Sequence, residues 1–438
     1  MKYEYLRTGT VSIEQEDLRM ETSIPRRKLQ WSLAAASTVT AIFVLSNAPT
    51  PLYAHWQAAW GFSSGTLTIV FGAYMVGLIS TLVVAGKLAD RHGRKVVLVP
   101  GLIAAVVASS LFLLATDVLW LFAARLLAGV AVGAAVTAGM SATIDLAPEH
   151  RRRAGSKIAS AAMVFGAGLG PMLSGALTQA VATPQLWIFG IVVSISLFAL
   201  VLATKLPLQR AIVERRPSDP LWTWPSAPRP NRRELAWGIA AFAPGITSTS
   251  FFLSLGPTVL VTGIGNHSAL LAGVTACSMF LVATGIQFAL ARFDFRTHLA
   301  LSSIAAIASM SSLIVSITVS STPAVFVIAA GLAGAAQGLG QLAALTLIST
   351  RVPQRNGAES NAALNIAGYI PAALLPVGTG YLIQFTSFHS AVTTFAAIVI
   401  VCALIALVAV RISTGRHSDN AVRGNVAICE QADDAILV

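Results

Sequence analysis

The 438-residue chain is 55% hydrophobic and only 11% charged, too little charge to cover a soluble surface of this size. Its mean hydropathy of +0.74 points to a bilayer as the solvent. The net charge of +11 does not indicate nucleic acid, because it is spread over many connections instead of lining one element.

A membrane span needs about 20 mostly apolar residues. Twelve such stretches follow one another, at roughly 31–54, 64–86, 95–115, 118–144, 155–180, 185–206, 235–262, 268–290, 298–320, 323–349, 361–383 and 388–412. The expected fold class is therefore an all-α polytopic membrane protein of twelve transmembrane helices in two pseudo-symmetric six-helix halves. Residues 1–30 and 413–438 read as cytoplasmic tails, and the first span as an uncleaved anchor. The halves are 31–206 and 235–412. The Pro- and Arg-rich stretch 207–234 reads as a cytoplasmic linker between them.

Twenty-eight of the 29 Lys and Arg residues fall in the tails, in alternate connections or at the span ends beside them, and the intervening connections carry none. Basic loops stay on the cytoplasmic face, so both termini are expected there, with the chain an integral protein of the plasma (bacterial inner) membrane. All eight Trp lie at or beyond expected span ends, where amphipathic rings prefer to sit. The basic loops also suit anionic lipid, so the bilayer itself is an expected partner. Cys277, Cys402 and Cys429 form no disulfide or metal pattern, and neither metal nor other cofactor is expected.

Between spans two and three the chain reads Gly86-Lys87-Leu88-Ala89-Asp90-Arg91-His92-Gly93-Arg94-Lys95, a tight turn with one acid among bases. Gly86 is expected to allow close helix approach, and Gly93 to supply a permissive backbone. The twenty-ninth basic residue, Arg125, lies about eight residues into span four. At mid-bilayer an Arg costs about 2.5–3.5 kcal/mol on insertion scales, so it faces a water-filled cavity or a partner. Its readings are a charge for an anionic substrate, a role in proton coupling, or structural pairing. Asp145, at the inner end of span four, is either an interfacial acid or the partner of Arg94.

Span five carries Gly166, Gly168, Gly170, Pro171, Ser174 and Gly175, small residues spaced for backbone-to-backbone packing around a proline. In the second half Gln337 and Gln341 lie one turn apart on one helix face, as do Asn361, Asn365 and Tyr369. Internal likeness supports two repeats. Ala123–Gly129 matches Ala329–Ala335 at an offset of 206 residues, Pro171 and Gly175 match Pro376 and Gly380 at 205, and Asp90 matches Asp294 at 204. Parallel repeats of this kind place a transport site at their interface near the midplane.

The loop Gly86–Lys95 resembles the signature loop of the major facilitator superfamily, most like its drug and metabolite exporters. Arg125 followed by Gly129 is similar to that family's span-four motif, with Ala128 in place of the usual polar residue. The span-five run resembles the family's exporter motif, with Ser174 replacing a Gly. The resemblance implies a gating latch of Gly86, Asp90, Arg91, Gly93, Arg94, Lys95 and Asp145. In it Asp90 packs on a helix start near Asn361, and Arg94 bridges Asp90 to Asp145. It further implies a cavity lined by spans one, four, seven and ten, making Asn47, Arg125, Thr247, Ser250, Gln337 and Gln341 eligible, with Arg125, Asn47, Gln337 and Gln341 preferred.

Every acid falls in a tail, a loop or a span end, and His55, His267 and His389 fall in outer connections. A cationic drug usually needs a buried acid, so a neutral or anionic solute fits better. The expected function is a secondary transporter of a small organic solute working by alternating access, as a proton-coupled exporter (an antiporter for efflux). The alternative is proton-coupled uptake of a small organic anion or sugar-like solute. A monomer is expected. No catalytic constellation appears, so the chain is not expected to be an enzyme.

Overall fold

A computed structural model describes residues 29–148, 152–208, 228–319 and 322–409. Both tails, most of the linker and the side chains of Lys87, Asp90, Arg152, Arg153 and residues 354–358 lie outside the described set. The described chain forms twelve helices long and apolar enough to cross a membrane. They are α1 (Leu29–Trp60), α2 (Ser64–Gly86, continuing to His92), α3 (Lys95–Leu114), α4 (Val118–Asp145), α5 (Arg152–Ala180) and α6 (Pro184–Lys205). The series continues with α7 (Arg229–Ser254), α8 (Ala269–Leu290), α9 (Phe295–Thr318), α10 (Pro323–Arg351), α11 (Gln354–Phe385) and α12 (Phe388–Ala409). Among the described residues there is no strand.

Several helices depart from the expected spans: α2 runs on six residues to His92 and α11 begins seven residues early, at Gln354. α1 runs on to Trp60 through a 3-10 turn at Thr50–Leu52, where Pro49 and Pro51 cannot supply the N–H of a regular helix. α7 stops at Ser254 instead of 262, and a short turn, Gly256–Thr258, leads into a π turn at Val259–Gly263. α4 contains a second π turn, Ala135–Gly139.

The described residues pack as two compact units. The first comprises those of 1–225 together with Leu253–Val261 and His267–Leu281. The second comprises those of 226–252, 262–266 and 282–438. These units do not follow the expected halves throughout, since the first part of α8 packs with α5. A Cβ on Gly175 would stand 2.6 Å from the Ala269 carbonyl, one on Gly273 would collide with the Pro171 carbonyl, and Gln179 donates to Ser268 at 2.6 Å.

Within the first unit, α5 lies on α1. A Cβ on Gly166 would be 2.5 Å from the Thr40 carbonyl, and one on Gly170 would strike that of Val44. Thr40 donates to the Ala162 carbonyl at 3.1 Å and Ser174 to that of Ala48 at 2.5 Å. Without a hydrophobic drive between helices in lipid, such close packing and interhelical hydrogen bonds supply the attraction. α2 and α4 meet the same way, each presenting a glycine (Gly77, Gly129) to a carbonyl of the other, those of Leu126 and Tyr74. In the second unit Gly338 of α10 faces the Ala283 carbonyl of α8 and Gly340 that of Ala241. A sequence offset of 206 separates Gly77 from Ala283, so the contact of spans two and four recurs between eight and ten.

One Trp is not an interface anchor. Trp56 is buried, stacked among Trp60, Phe112 and Phe189, and its indole donates to Gln185 Oε1 at 3.0 Å. The longer α1 carries it past the expected span end onto the faces of α3 and α6.

Candidate functional site

Arg125 enters the bilayer on α4, whose first turn is capped by Asp117, a side-chain oxygen accepting from Leu119 N–H at 2.8 Å. The helix places Arg125 against α1 and α2, where only 1% of it is exposed. It therefore does not face open space in this conformation. Its Nη1 donates to the Ser46 carbonyl at 2.5 Å and its Nε to the Tyr53 hydroxyl, while Nη2 has no partner. The rings of Tyr53, Phe71 and Tyr74 surround the guanidinium at 5.3, 5.3 and 5.4 Å from their centroids. Desolvated cation–π contacts are worth about 2 kcal/mol or more, which offsets much of the insertion cost. Among the described residues no carboxylate forms an ion pair with Arg125; the recorded ion pair joins Arg94 and Asp145.

The sequence reading singled out Arg125 but missed its cage. Ser46 contributes a backbone carbonyl, which carries no side-chain signal. Phe71 and Tyr74 do carry one, since a spacing of three puts both rings on one helix face, suited to a cation. Asn47, next to Ser46, is buried.

Gln337 and Gln341 belong to the second unit and are half-buried. Gln337 Oε1 is shielded without a partner, and Gly245 of α7 packs on the Gln337 backbone, where a Cβ would be 2.5 Å from its nitrogen. Thr247 and Ser250 are buried on α7, and Ser250 donates to the Ala372 carbonyl of α11 at 2.5 Å, an interhelical tie. On α11, Asn365 donates to the Asn361 carbonyl at 2.9 Å, and Tyr369 meets Phe242 edge-on. Asn361 Oδ1 is buried and unpartnered.

In the loop between α2 and α3, Arg94 Nε lies 3.4 Å from Asp145 Oδ2 and Lys95 Nζ donates to the Thr204 carbonyl at 2.9 Å. Gly93 has φ +94° and its N–H closes α2 on the Ala89 carbonyl at 2.9 Å. A side chain would be strained there. The close approach expected at Gly86 is absent: a Cβ there would meet open space, and nothing in the structure explains that glycine. Arg91 is half-buried, and the side chain of Asp90, with the latch contact expected of it, lies outside the described residues.

The corresponding loop of the second half works differently. Asp294 caps its own helix, α9, accepting from Thr297 N–H at 3.3 Å and Thr297 Oγ1 at 2.5 Å. Its hydrogen bond from the Thr297 side chain holds the carboxyl below its ordinary value, against the opposing effect of partial burial. One histidine the sequence reading did not use is also buried. His298, 1% exposed, bonds the Leu290 carbonyl through Nε2 at 2.7 Å and leaves Nδ1 without a partner.

Comparison with known proteins adds three findings. Residues 32–293, more than half of the chain, match the family model described as Major Facilitator Superfamily. Multidrug resistance protein MdtL of Vibrio parahaemolyticus serotype O3:K6 is 26% identical over 243 residues, which cover 54% of this chain and 59% of that protein. MdtL of Escherichia fergusonii is 26% identical over 262 residues, covering 58% and 65%. The chain thus matches about three fifths of the length of these relatives. The nucleoside transporter NupG superposes at a TM-score of 0.64 and 14% identity, over 87% of this chain and 98% of that one. A mutant of NupG gives 0.68 at 14% identity, over 86% and 99%. At such identity the likeness concerns the fold.

Proposed function

From the premise that this chain belongs to the Major Facilitator Superfamily, a family of transporters and not of enzymes, we propose that it is a secondary transporter moving a small organic solute by alternating access. The observation that carries this reading is Arg125: a permanent charge buried within a span, with no carboxylate among the described residues to neutralise it. Structural economy alone would not keep such a group, and an intramembrane ionisable residue is by default functional.

Export is the proposed direction. It draws on the name of the MdtL relatives, multidrug resistance proteins, and on the glycine run of α5 with its exporter-like pattern. Proton coupling, a monomeric state, cytoplasmic termini and a division into two six-helix halves, 31–206 and 235–412, belong to the same proposal. So does the latch of Gly86, Asp90, Arg91, Gly93, Arg94, Lys95 and Asp145, with the Arg94–Asp145 pair as its recorded element. Asn47, Gln337 and Gln341 are proposed to line the solute path. A second reading, uptake of a small organic anion or sugar-like solute, draws on the cation at position 125.

The test is cellular accumulation of a mixed panel of drugs, organic acids and sugars. Cells carrying the wild type are compared with cells carrying Asp90→Asn at equal membrane abundance. Lower accumulation with the wild type alone is the expected result. Higher accumulation would replace export by uptake, and no difference for any solute would overturn the transporter reading.

A further inference from the structure

The guanidinium of Arg125 is unevenly used. Of its three nitrogens, Nη1 is taken by a backbone carbonyl, Nε by a neutral phenol, and Nη2 by nothing, although the whole side chain is buried. In a planar guanidinium the N–H of Nε and one N–H of Nη2 run parallel, and together they match the two oxygens of a carboxylate. One of those two positions here is filled by an uncharged group and the other is empty.

We propose that the Nε–Nη2 edge of Arg125 is a carboxylate fork held shut by Tyr53, and that the transported solute is an organic carboxylate with an apolar body. The proposal rests on the transporter reading above and names its substrate class.

The first support is that no described residue supplies Arg125 with a counter-charge. Near the spans, Asp117 is engaged as the cap of α4 and Asp145 pairs with Arg94, both at helix ends. The three rings around Arg125 stabilise a cation without neutralising it. A solute carboxylate would supply both the negative charge and the missing acceptor for Nη2.

The course of α1 supplies the means of opening. Ser46 and Tyr53, the two groups now occupying the guanidinium, stand on opposite sides of the 3-10 turn at Thr50–Leu52. Pro49 and Pro51 remove N–H donors from that turn, so the helix is interrupted there. The start of the segment after the turn, with Tyr53, can therefore shift off Nε while Ser46 keeps its hold on Nη1 and the Trp56 stack holds the rest of the segment in place. That motion frees Nε beside the vacant Nη2 and leaves the guanidinium anchored. The flanking Phe71 and Tyr74 rings make the surroundings aromatic, which suits an apolar acid better than a polyol.

The experiment uses the full chain in lipid nanodiscs and measures binding of acetate, butyrate, benzoate and phenylacetate, each beside its neutral amide. Wild-type protein should bind at least one acid saturably and its amide at least about tenfold more weakly. Arg125→Lys keeps the charge but loses the fork, and should weaken acid binding by about tenfold or more. Tyr53→Phe removes the group that must be displaced and should tighten acid binding by about threefold, which a merely structural tyrosine would not do. If Arg125→Lys does not fold, the acid–amide contrast and Tyr53→Phe still decide. Equal binding of acids and amides, no acid binding at millimolar concentration, or weaker acid binding in Tyr53→Phe would overturn the proposal. Should cells still extrude a neutral drug in that case, the fork is wrong and the transporter reading stands. Loss of both results would remove both.

Discussion

Replacing Gly166 by Ala tests whether the glycine run of α5 is packing. An added Cβ would stand 2.5 Å from the Thr40 carbonyl oxygen, 2.9 Å from Phe43 Cβ and 3.1 Å from Thr40 Cα. None of these is the free end of a flexible side chain, so α1 and α5 must separate. Restoring an ordinary carbon–oxygen contact of about 3.3 Å requires a shift of about 0.8 Å. The same shift would stretch the Thr40–Ala162 hydrogen bond from 3.1 Å to about 3.9 Å, beyond bonding range. Overpacking costs about 1–3 kcal/mol and a lost interhelical hydrogen bond about 0.6 kcal/mol. The total is about 2–4 kcal/mol, and its lower end already changes the folded-to-unfolded ratio about 30-fold. The control is Gly86→Ala, which adds its methyl to open space and removes a helical glycine, so it should be neutral or stabilising by up to about 1 kcal/mol. Denaturation in mixed micelles, read by circular dichroism, measures both variants. Equal midpoints for the two would refute the packing argument.

Three further outcomes are expected. Gly93→Ala forces a side chain onto φ +94° at the end of α2 and should destabilise by about 1–3 kcal/mol, measured in the same denaturation series. Asp145→Asn breaks a solvent-exposed pair worth about 0–1 kcal/mol, so stability should hardly move; if the loop is a latch, the transport rate of the same variant falls several-fold. The third concerns Asp294. Its carboxyl value is depressed in the folded chain, so its cap on α9 contributes above the ordinary carboxylate range and fades as pH falls through the lowered value. Hydrogen exchange at the first amides of α9 should accelerate across that acid window, and Asp294→Asn, still able to cap, should flatten the dependence.

Sequence alone determined the twelve spans, including the ends of α3 and α6 to within a residue, because span length and apolarity are demands of the bilayer read locally along the chain. It marked Arg125 as the residue to explain and made Asp145 an eligible partner of Arg94, since charges stand out against an apolar background. Which neighbours each helix would choose was not legible. Lipid and protein interior are equally apolar, so a span carries little amphipathic signal, and each residue of error in register turns a helix face by about 100°. Tertiary structure therefore decided that Arg125 is enclosed by Tyr53, Phe71 and Tyr74 instead of opening into a cavity, and that Trp56 is buried instead of anchoring an interface. It also decided that Gly166 and Gly170 lie on α1 while Gly175 lies on α8, and that a Cβ on Gly86 would meet no described atom. In each case the deciding fact is the rotation and approach of two helices, which depend on atoms far apart in the chain.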